Sequence, residues 1–418
     1  MVTMERAAVT LDGRDDSRLT ALYDEAVAIG VRADAPGGSA SDDDIVDPAL
    51  ALASRLGATT PRPTTGMAGY LEALATLGSA DVTVARIVEP HLDALAILDE
   101  CPDPVDLATI GAGPDSTWGV FAAEGPGVRL TAVPDARGWL LEGTKPWCSL
   151  AGRLSHALVT AHVDGGRRLF AVALGVPGVT VHDEAWVARG FPEVPSGPAD
   201  FDRVPAVPVG ATGWYLERAG FEWGGIGVAA CWFGGALGVQ RRILDAAVRK
   251  ADDLSALHAG RATAALTAAR AVLAAAARAV DLAGVPTAGR TDGAFAAAAA
   301  APAAIALNPG DVPVAAGAPA ALDRAEAPPG LDRGEAAVLA QVTRTVVRQA
   351  AETVLREAAR ALGPAPLATD AGYAARVADL ELYLLQDHGA RDEARLGRLL
   401  VEAENNAARG SAEDGGAR

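Results

Sequence analysis

Aromatic residues make up only 5% of the chain, cysteine occurs three times, and basic side chains are outnumbered by acidic ones. Each shortage excludes something. Cys101, Cys148 and Cys231 lie too far apart for a metal knuckle or a disulfide framework, so a reducing, cytoplasmic setting is expected. Lys and Arg total 36 against 53 Asp and Glu, a formal net charge of −17. With no basic stripe to follow a phosphate backbone, nucleic acid is not an expected partner, and an anionic membrane surface is disfavoured on the same ground. Residues 1–6 lack an apolar signal core. The apolar run from Ala294 to Leu307 is too short to span a bilayer and is interrupted by Pro302. No GxGxxG and no P-loop is present, and the histidines show no ligand spacing, so no metal site is expected.

What is present is alanine and helical periodicity. Half of the 418 residues are apolar, which supports two or three domains rather than one core. Leu19, Leu22, Tyr23, Ala26 and Ile29 recur at helical spacing, and residues 1–115 read as an N-terminal helical domain. Over 116–215 the period shortens to two, as in Val159, Ala161, Val163 and Leu169, Ala171, Ala173, with turns at Asp164-Gly165-Gly166 and Val176-Pro177-Gly178. This predicts a middle antiparallel β-domain. Over 216–409 helices return: a Gly-rich one from Trp223 to Ala251, then Ala262 to Leu282, Glu335 to Leu362, and a long one from Tyr373 towards Ala408. A helix with that many glycines implies close approach of a neighbouring backbone. The Ala/Pro-rich stretch 286–334 has no period and reads as a flexible insertion. The fold class is therefore mainly α with a central antiparallel β-domain.

Two places carry candidate chemistry. In Gly138-Trp-Leu-Leu-Glu-Gly-Thr-Lys-Pro-Trp-Cys-Ser-Leu-Ala151, a strand would put Trp147 and Ser149 on one face. An indole beside a hydroxyl suits a planar heterocycle with a ring nitrogen; the plainer alternative is a buried Trp and a strand-edge Ser. Further on, Val377, Leu380, Leu384 and His388 fall on one helical face, which should be buried, with Asp392 one turn beyond His388. Such a pair is either a general base near neutral pH or a helix–helix staple. Asp387 and Arg391 read as a solvated pair on the outer face.

The segment around Trp147 resembles the acyl-CoA dehydrogenase family's run of Gly, aromatic, Leu, Gly, Lys, Trp and a hydroxyl residue. Trp118-Gly-Val-Phe-Ala-Ala-Glu124, Trp186-Val-Ala-Arg-Gly190 with Phe201 to Pro208, and Leu362-Gly-Pro-Ala-Pro-Leu367 with Gln386 to Asp392 agree with it in order and spacing, over about residues 85–400. The resemblance implies an N-terminal helical domain, a β-barrel-like middle domain and a C-terminal four-helix bundle holding FAD in a homodimer or homotetramer. It implies Trp147 beside the isoalloxazine and Ser149 as the hydroxyl bonded to flavin N5. Phe121, Ala123 and Glu124 would then lie at the pyrimidine edge. His91, in Glu89-Pro-His-Leu-Asp93, would line the substrate cavity, and His388 with Asp392 would stand where the family's base is missing. Several family elements are absent: Ala123 replaces a Thr, Gly125-Pro-Gly-Val128 replaces a Gly-Ser-Asp, and no Arg-x-x-Phe-Gly follows Arg249. The implied activity is a flavin-dependent oxidoreductase acting on a small or acyl substrate. A flavin monooxygenase of the same fold and a non-catalytic ligand-binding or partner-subunit homologue are the alternatives.

Overall fold

The computed structural model describes residues 8–30, 45–136, 138–218, 220–283, 331 and 333–415. Four helices come first: α1 (Ser17–Gly30), α2 (Val46–Thr59), α3 (Pro63–Ala80) and α4 (Val82–Glu100). Asp81 turns the chain between α3 and α4, its carboxylate accepting from Val84 N at 3.0 Å to cap α4. α3 and α4 bury residues on nearly every side, so both are interior helices. Pro90 lies inside α4 and removes the amide that would bond the Arg86 carbonyl.

Seven strands follow: β1 (Trp118–Phe121), β2 (Leu130–Asp135), β3 (Gly138–Lys145), β4 (His156–Val163), β5 (Gly166–Ala173), β6 (Val179–Val181) and β7 (Ala199–Val209). Antiparallel ladders run from β2 to β3, β7, β5 and β4, and the bridge from Thr131 to His162 brings β4 back to β2. Five strands thus close on themselves. The expected antiparallel arrangement needs one correction: β4 runs parallel to both β1 and β2. The chain is carried back between β1 and β2 by residues 122–129, and between β2 and β4 by β3, as a parallel pair requires. β4 is buried on both faces, with Leu158 among Trp118, Leu169 and Val209 and with Val159 and Ala161 in the main core. Its apolar residues therefore run on instead of alternating.

The remaining helices are α5 (Trp214–Glu217), α6 (Gly220–Lys250), α7 (Asp253–Ala283), α8 (Arg333–Leu362), α9 (Ala365–Thr369), α10 (Ala371–Leu384) and α11 (Ala390–Gly415). α6 packs against α3, α4, α7, α8 and α10. A Cβ on Gly78 of α3 would lie 2.5 Å from the Cys231 carbonyl, and one on Gly234 of α6 would fall on the Ala75 carbonyl and 2.7 Å from Ser79 N. The glycines thus let two backbones touch, as their density predicts. α7 is long and apolar enough to cross a membrane by length and composition, but one face packs on α6, α8 and α3 as a bundle helix does. The insertion expected over 286–334 lies outside the described residues except for its last few.

Asp379 of α10 joins the layers: one oxygen accepts from Thr83 Oγ1 on α4 at 2.9 Å, the other from Phe191 N at the exit of the β-region at 2.6 Å. The single long helix expected from Tyr373 is a second correction. α10 stops at Leu384, amides 385–387 tighten into shorter-range bonds, and Gly389 takes φ +54° before α11 begins. The break inverts the expected faces. Asp387 is 5% exposed and 3.1 Å from Arg348 Nε, whereas the His388 side chain is 67% exposed.

Gly234→Ala should destabilise the protein by about 1–3 kcal/mol through overpacking. Gly260→Ala, on α7 with open space around its Cβ, should stabilise by about 0.5–1 kcal/mol. Denaturant midpoints of the two variants check both signs.

Candidate functional site

Lys145 ends β3 with 1% of its surface exposed. Its Nζ donates to Glu124 Oε1 at 3.0 Å, Thr160 O at 2.9 Å and Thr160 Oγ1 at 2.8 Å. Burial pulls the ammonium pKa down, and Glu124 opposes it. Burial pushes the Glu124 carboxyl up, but hydrogen bonds from His162 and Lys145 outweigh that and hold it at about 2. Lys145, His162 and, at 3.5 Å, Arg167 thus surround this carboxylate. The loop after β1 is thereby locked against the turn after β3, and a Cβ on Gly125 would meet Pro146 at 3.1 Å. Glu124 uses its side chain structurally. Ala123 is exposed, and the amides of Ala123 and Glu124 take part in none of the backbone hydrogen bonds among the described residues.

The expectation that Trp147 and Ser149 share a strand face is corrected. β3 stops at Lys145 because Pro146 has no amide to continue the ladder. The next residues form a turn fixed by Cys148 N to Gly197 O (2.9 Å) and Leu150 N to Pro195 O (2.8 Å). Trp147 sits at φ +59° and Leu150 at +57°, a left-handed conformation that non-glycine residues adopt only when the surroundings impose it. This turn holds the Trp147 indole 58% exposed. Ser149 faces inward: its Oγ accepts from Arg86 NH2 at 2.7 Å and lies 2.8 Å from Ser196 Oγ. Around it is a cavity of about 20 Å³, lined by Arg86, Pro90, Phe121, Leu154 and Val194, among others, and by no carboxylate. Phe121, 2% exposed, is a wall of this cavity. Cys148 is fully buried, which pushes its thiol up to about 12.

Two other candidates sit differently from expectation. His91 is 2% exposed, and its Nδ1 accepts from Trp118 N at 3.2 Å, which makes it a link between α4 and β1 with Nδ1 already used. Burial, helped by the charge of Arg62, lowers its pKa to about 4. His388 is not on a buried stripe. Its backbone amide donates to Asp392 Oδ2 at 3.1 Å, so Asp392 closes the first turn of α11, and the ring stands 3.7 Å from that oxygen. It borders an open groove of about 500 Å³ with Arg348, Leu355, Leu384 and Leu385, which shares no lining residue with the Ser149 cavity. Arg86 and Ser196 were missed from the sequence, because their meeting with Ser149 joins positions 63 and 47 residues apart.

His91 gives a pH dependence with a definite sign. Its folded pKa lies below the unfolded 6.5, so its contribution is complete above pH 6.5 and is lost as pH falls towards 4. Acidification over that window should remove on the order of 3 kcal/mol. His91→Asn should flatten this part of the profile, as read from denaturant midpoints between pH 7 and pH 4. An unchanged profile would mean that His91 takes up its proton normally in the folded state.

No family model matches this sequence, and no curated protein matches it. Solved structures do. KijD3 in complex with FMN and dTDP-3-amino-2,3,6-trideoxy-4-keto-3-methyl-D-glucose aligns with TM-score 0.67 at 19% identity, covering 92% of each chain. The nitrososynthase from Micromonospora carbonacea var. africana aligns with TM-score 0.65 at 19% identity over 96% of this chain and 98% of that one. TdsC from Paenibacillus sp. A11-2, with FMN and indole, aligns with TM-score 0.64 at 17% identity over 91% and 97%. Likeness over nearly the whole length, with the motifs around Trp118, Trp147 and Gln386 falling in the expected order of elements, shows that this chain has the acyl-CoA dehydrogenase-like fold.

Proposed function

We propose that the chain is a flavin-dependent oxidoreductase that binds FMN against the exposed indole of Trp147 and acts on a small molecule. The observation that carries this is the fixed turn after β3: a left-handed Trp147, 58% exposed, next to a locked loop whose Ala123 and Glu124 amides are available. A large apolar ring held out at the surface beside free donors fits a planar heterocycle with a polar edge. Ser149 is held facing inward: Arg86 donates to its Oγ and, because Ser196 gives its own proton to Val194 O at 3.1 Å, the Ser149 hydroxyl donates to Ser196. FMN is favoured over FAD because no Arg-x-x-Phe-Gly stands after Arg249 to meet a pyrophosphate, and because the KijD3 and TdsC complexes contain FMN.

The oxygen-using form of this reading is favoured over acyl-CoA dehydrogenation. The Ser149 cavity, about 20 Å³, has no carboxylate in its lining; the buried carboxylates of Glu89 and Asp93 lie on α4 outside that lining. The sequence also has no GxGxxG dinucleotide fingerprint, so reducing equivalents would arrive with reduced flavin. Bound at this site, a reduced flavin would supply the two electrons needed for dioxygen to give one atom to the substrate and the other to water. The reading keeps the division into units at 1–115, 116–215 and 216–409, and places the protein in the cytoplasm as a homodimer or homotetramer. Leu254, Leu257 and Leu282 on α7, all exposed, supply apolar surface for a second copy.

Fluorescence titration of the full chain with FMN tests the proposal. Trp147→Ala should weaken FMN binding about tenfold or more, by removing a stacked aromatic face, and leave the melting temperature nearly unchanged. FAD should bind no more tightly than FMN. Equal FMN affinity in the variant would remove Trp147 from the site, and no binding by the wild type would end the flavin reading.

A further inference from the structure

α4 carries two carboxylates one turn apart, Glu89 and Asp93, that no part of the flavin reading uses. No hydrogen bond or ion pair among the described residues reaches either of them. Glu89 is 6% exposed, and burial, reinforced by the Asp93 charge and opposed by Arg86 and Arg344, pushes its pKa up to about 8. Burial raises Asp93 too, although that side chain keeps some accessible surface.

The cations nearby are engaged elsewhere. Arg86 donates to Ser149; Arg218 pairs with Glu100; Arg344 donates to Gly225 O at 2.9 Å and lies 4.8 Å above the Trp232 ring. The remaining titratable neighbours are neutral at pH 7: Tyr70 on α3, Tyr215 on α5, Cys231 on α6 and Tyr383 on α10, each raised by burial.

Independent features point to a ligand beside this pair. Tyr70 Oη and Trp232 Nε1, on fully buried side chains, have no hydrogen-bond partner. Asp93 and Glu89 are the nearest negative charges acting on the Tyr70 hydroxyl. The glycines at the start of α6 let its backbone come close against these groups. A Cβ on Gly224 would stand 3.0 Å from Asp93 Oδ1, and one on Gly227 would stand 3.0 Å from the Tyr70 ring and 3.3 Å from its hydroxyl. Here the glycines face polar side chains, unlike Gly234, which faces backbone.

We propose that Glu89 and Asp93, with the Tyr70 hydroxyl, form the subsite that binds a basic amine nitrogen of the substrate. This deepens the functional reading and rests on it for the word substrate; the binding chemistry stands by itself. Glu89, raised to about 8, carries its proton at neutral pH. An ammonium group entering beside the carboxylates donates its N–H bonds to both, and the Glu89 proton leaves to the buffer. Tyr70 Oη gains the partner it lacks.

Calorimetry on the full chain tests this with benzylamine, a cation at pH 7, and benzyl alcohol, its neutral analogue. Benzylamine should bind roughly tenfold or more tightly than benzyl alcohol. Titrations in buffers of different ionisation enthalpy should show release of about one proton per benzylamine. Glu89→Gln and Asp93→Asn should each weaken benzylamine roughly tenfold, abolish the proton release and leave benzyl alcohol unchanged. Should Glu89→Gln fail to fold, Asp93→Asn carries the test. Equal affinities for the two probes, or variants that bind benzylamine like the wild type, would overturn the proposal. FMN binding by the same wild-type sample separates this failure from failure of the flavin reading.

Discussion

The Lys145 ammonium has three N–H donors and three acceptors around it, and the turn that carries Trp147 depends on that match. One bond reaches the loop after β1, two reach the middle of β4, and Lys145 itself ends β3. A buried charge is tolerated because its counter-charge is fixed: Glu124 stays ionised under the influence of Lys145 and His162. A guanidinium would be too large for this compact arrangement. With this tie made, Pro146 ends the strand and Trp147 is left exposed on a turn that has no freedom to fold it away.

The helical side depends on a different constraint, the contact of α3 with α6. Gly78 and Gly234 bring two backbones together, so α6 lies close enough to bury Tyr70 and Trp232 completely. α4 then has its polar residues enclosed on several sides. Arg86 is turned to the Ser149 cavity, and Glu89 and Asp93 to α6. Pro90 sits between them and removes one bond of the helical ladder at the point where α4 borders both places. The Ser149 cavity and the carboxylate pair are thus neighbours along a single helix.

Much of the architecture was legible in the sequence. Periodicity located α6, α7 and α8 within a few residues at most of their ends, except at the start of α7, since amphipathic or all-apolar helical patterns are long and repetitive. β4 was blurred because both of its faces are buried. The long C-terminal helix was misread for a local reason: Val377, Leu380 and Leu384 do form a buried stripe, but Gly389 permits a left-handed turn, and Asp387 gains more from Arg348 inside than from solvent. His388 then follows the turn outward. Of the candidate site, Trp147, Ser149 and Phe121 were singled out through motif order. The Arg86–Ser149–Ser196 chain was not, since nothing in one dimension links α4 to a turn 63 residues on. Glu89 and Asp93 could have been found: two acids at i and i+4 in the mostly apolar middle of a helix are a readable anomaly.

The central claim is that the exposed Trp147 turn and the Ala123–Glu124 edge receive the flavin ring. A crystal structure of the full chain soaked with FMN measures this directly. The account predicts the isoalloxazine against Trp147, with its pyrimidine edge accepting from the Ala123 or Glu124 amide. Flavin found elsewhere, with the Trp147 face covered by another copy of the chain or bare, would contradict it.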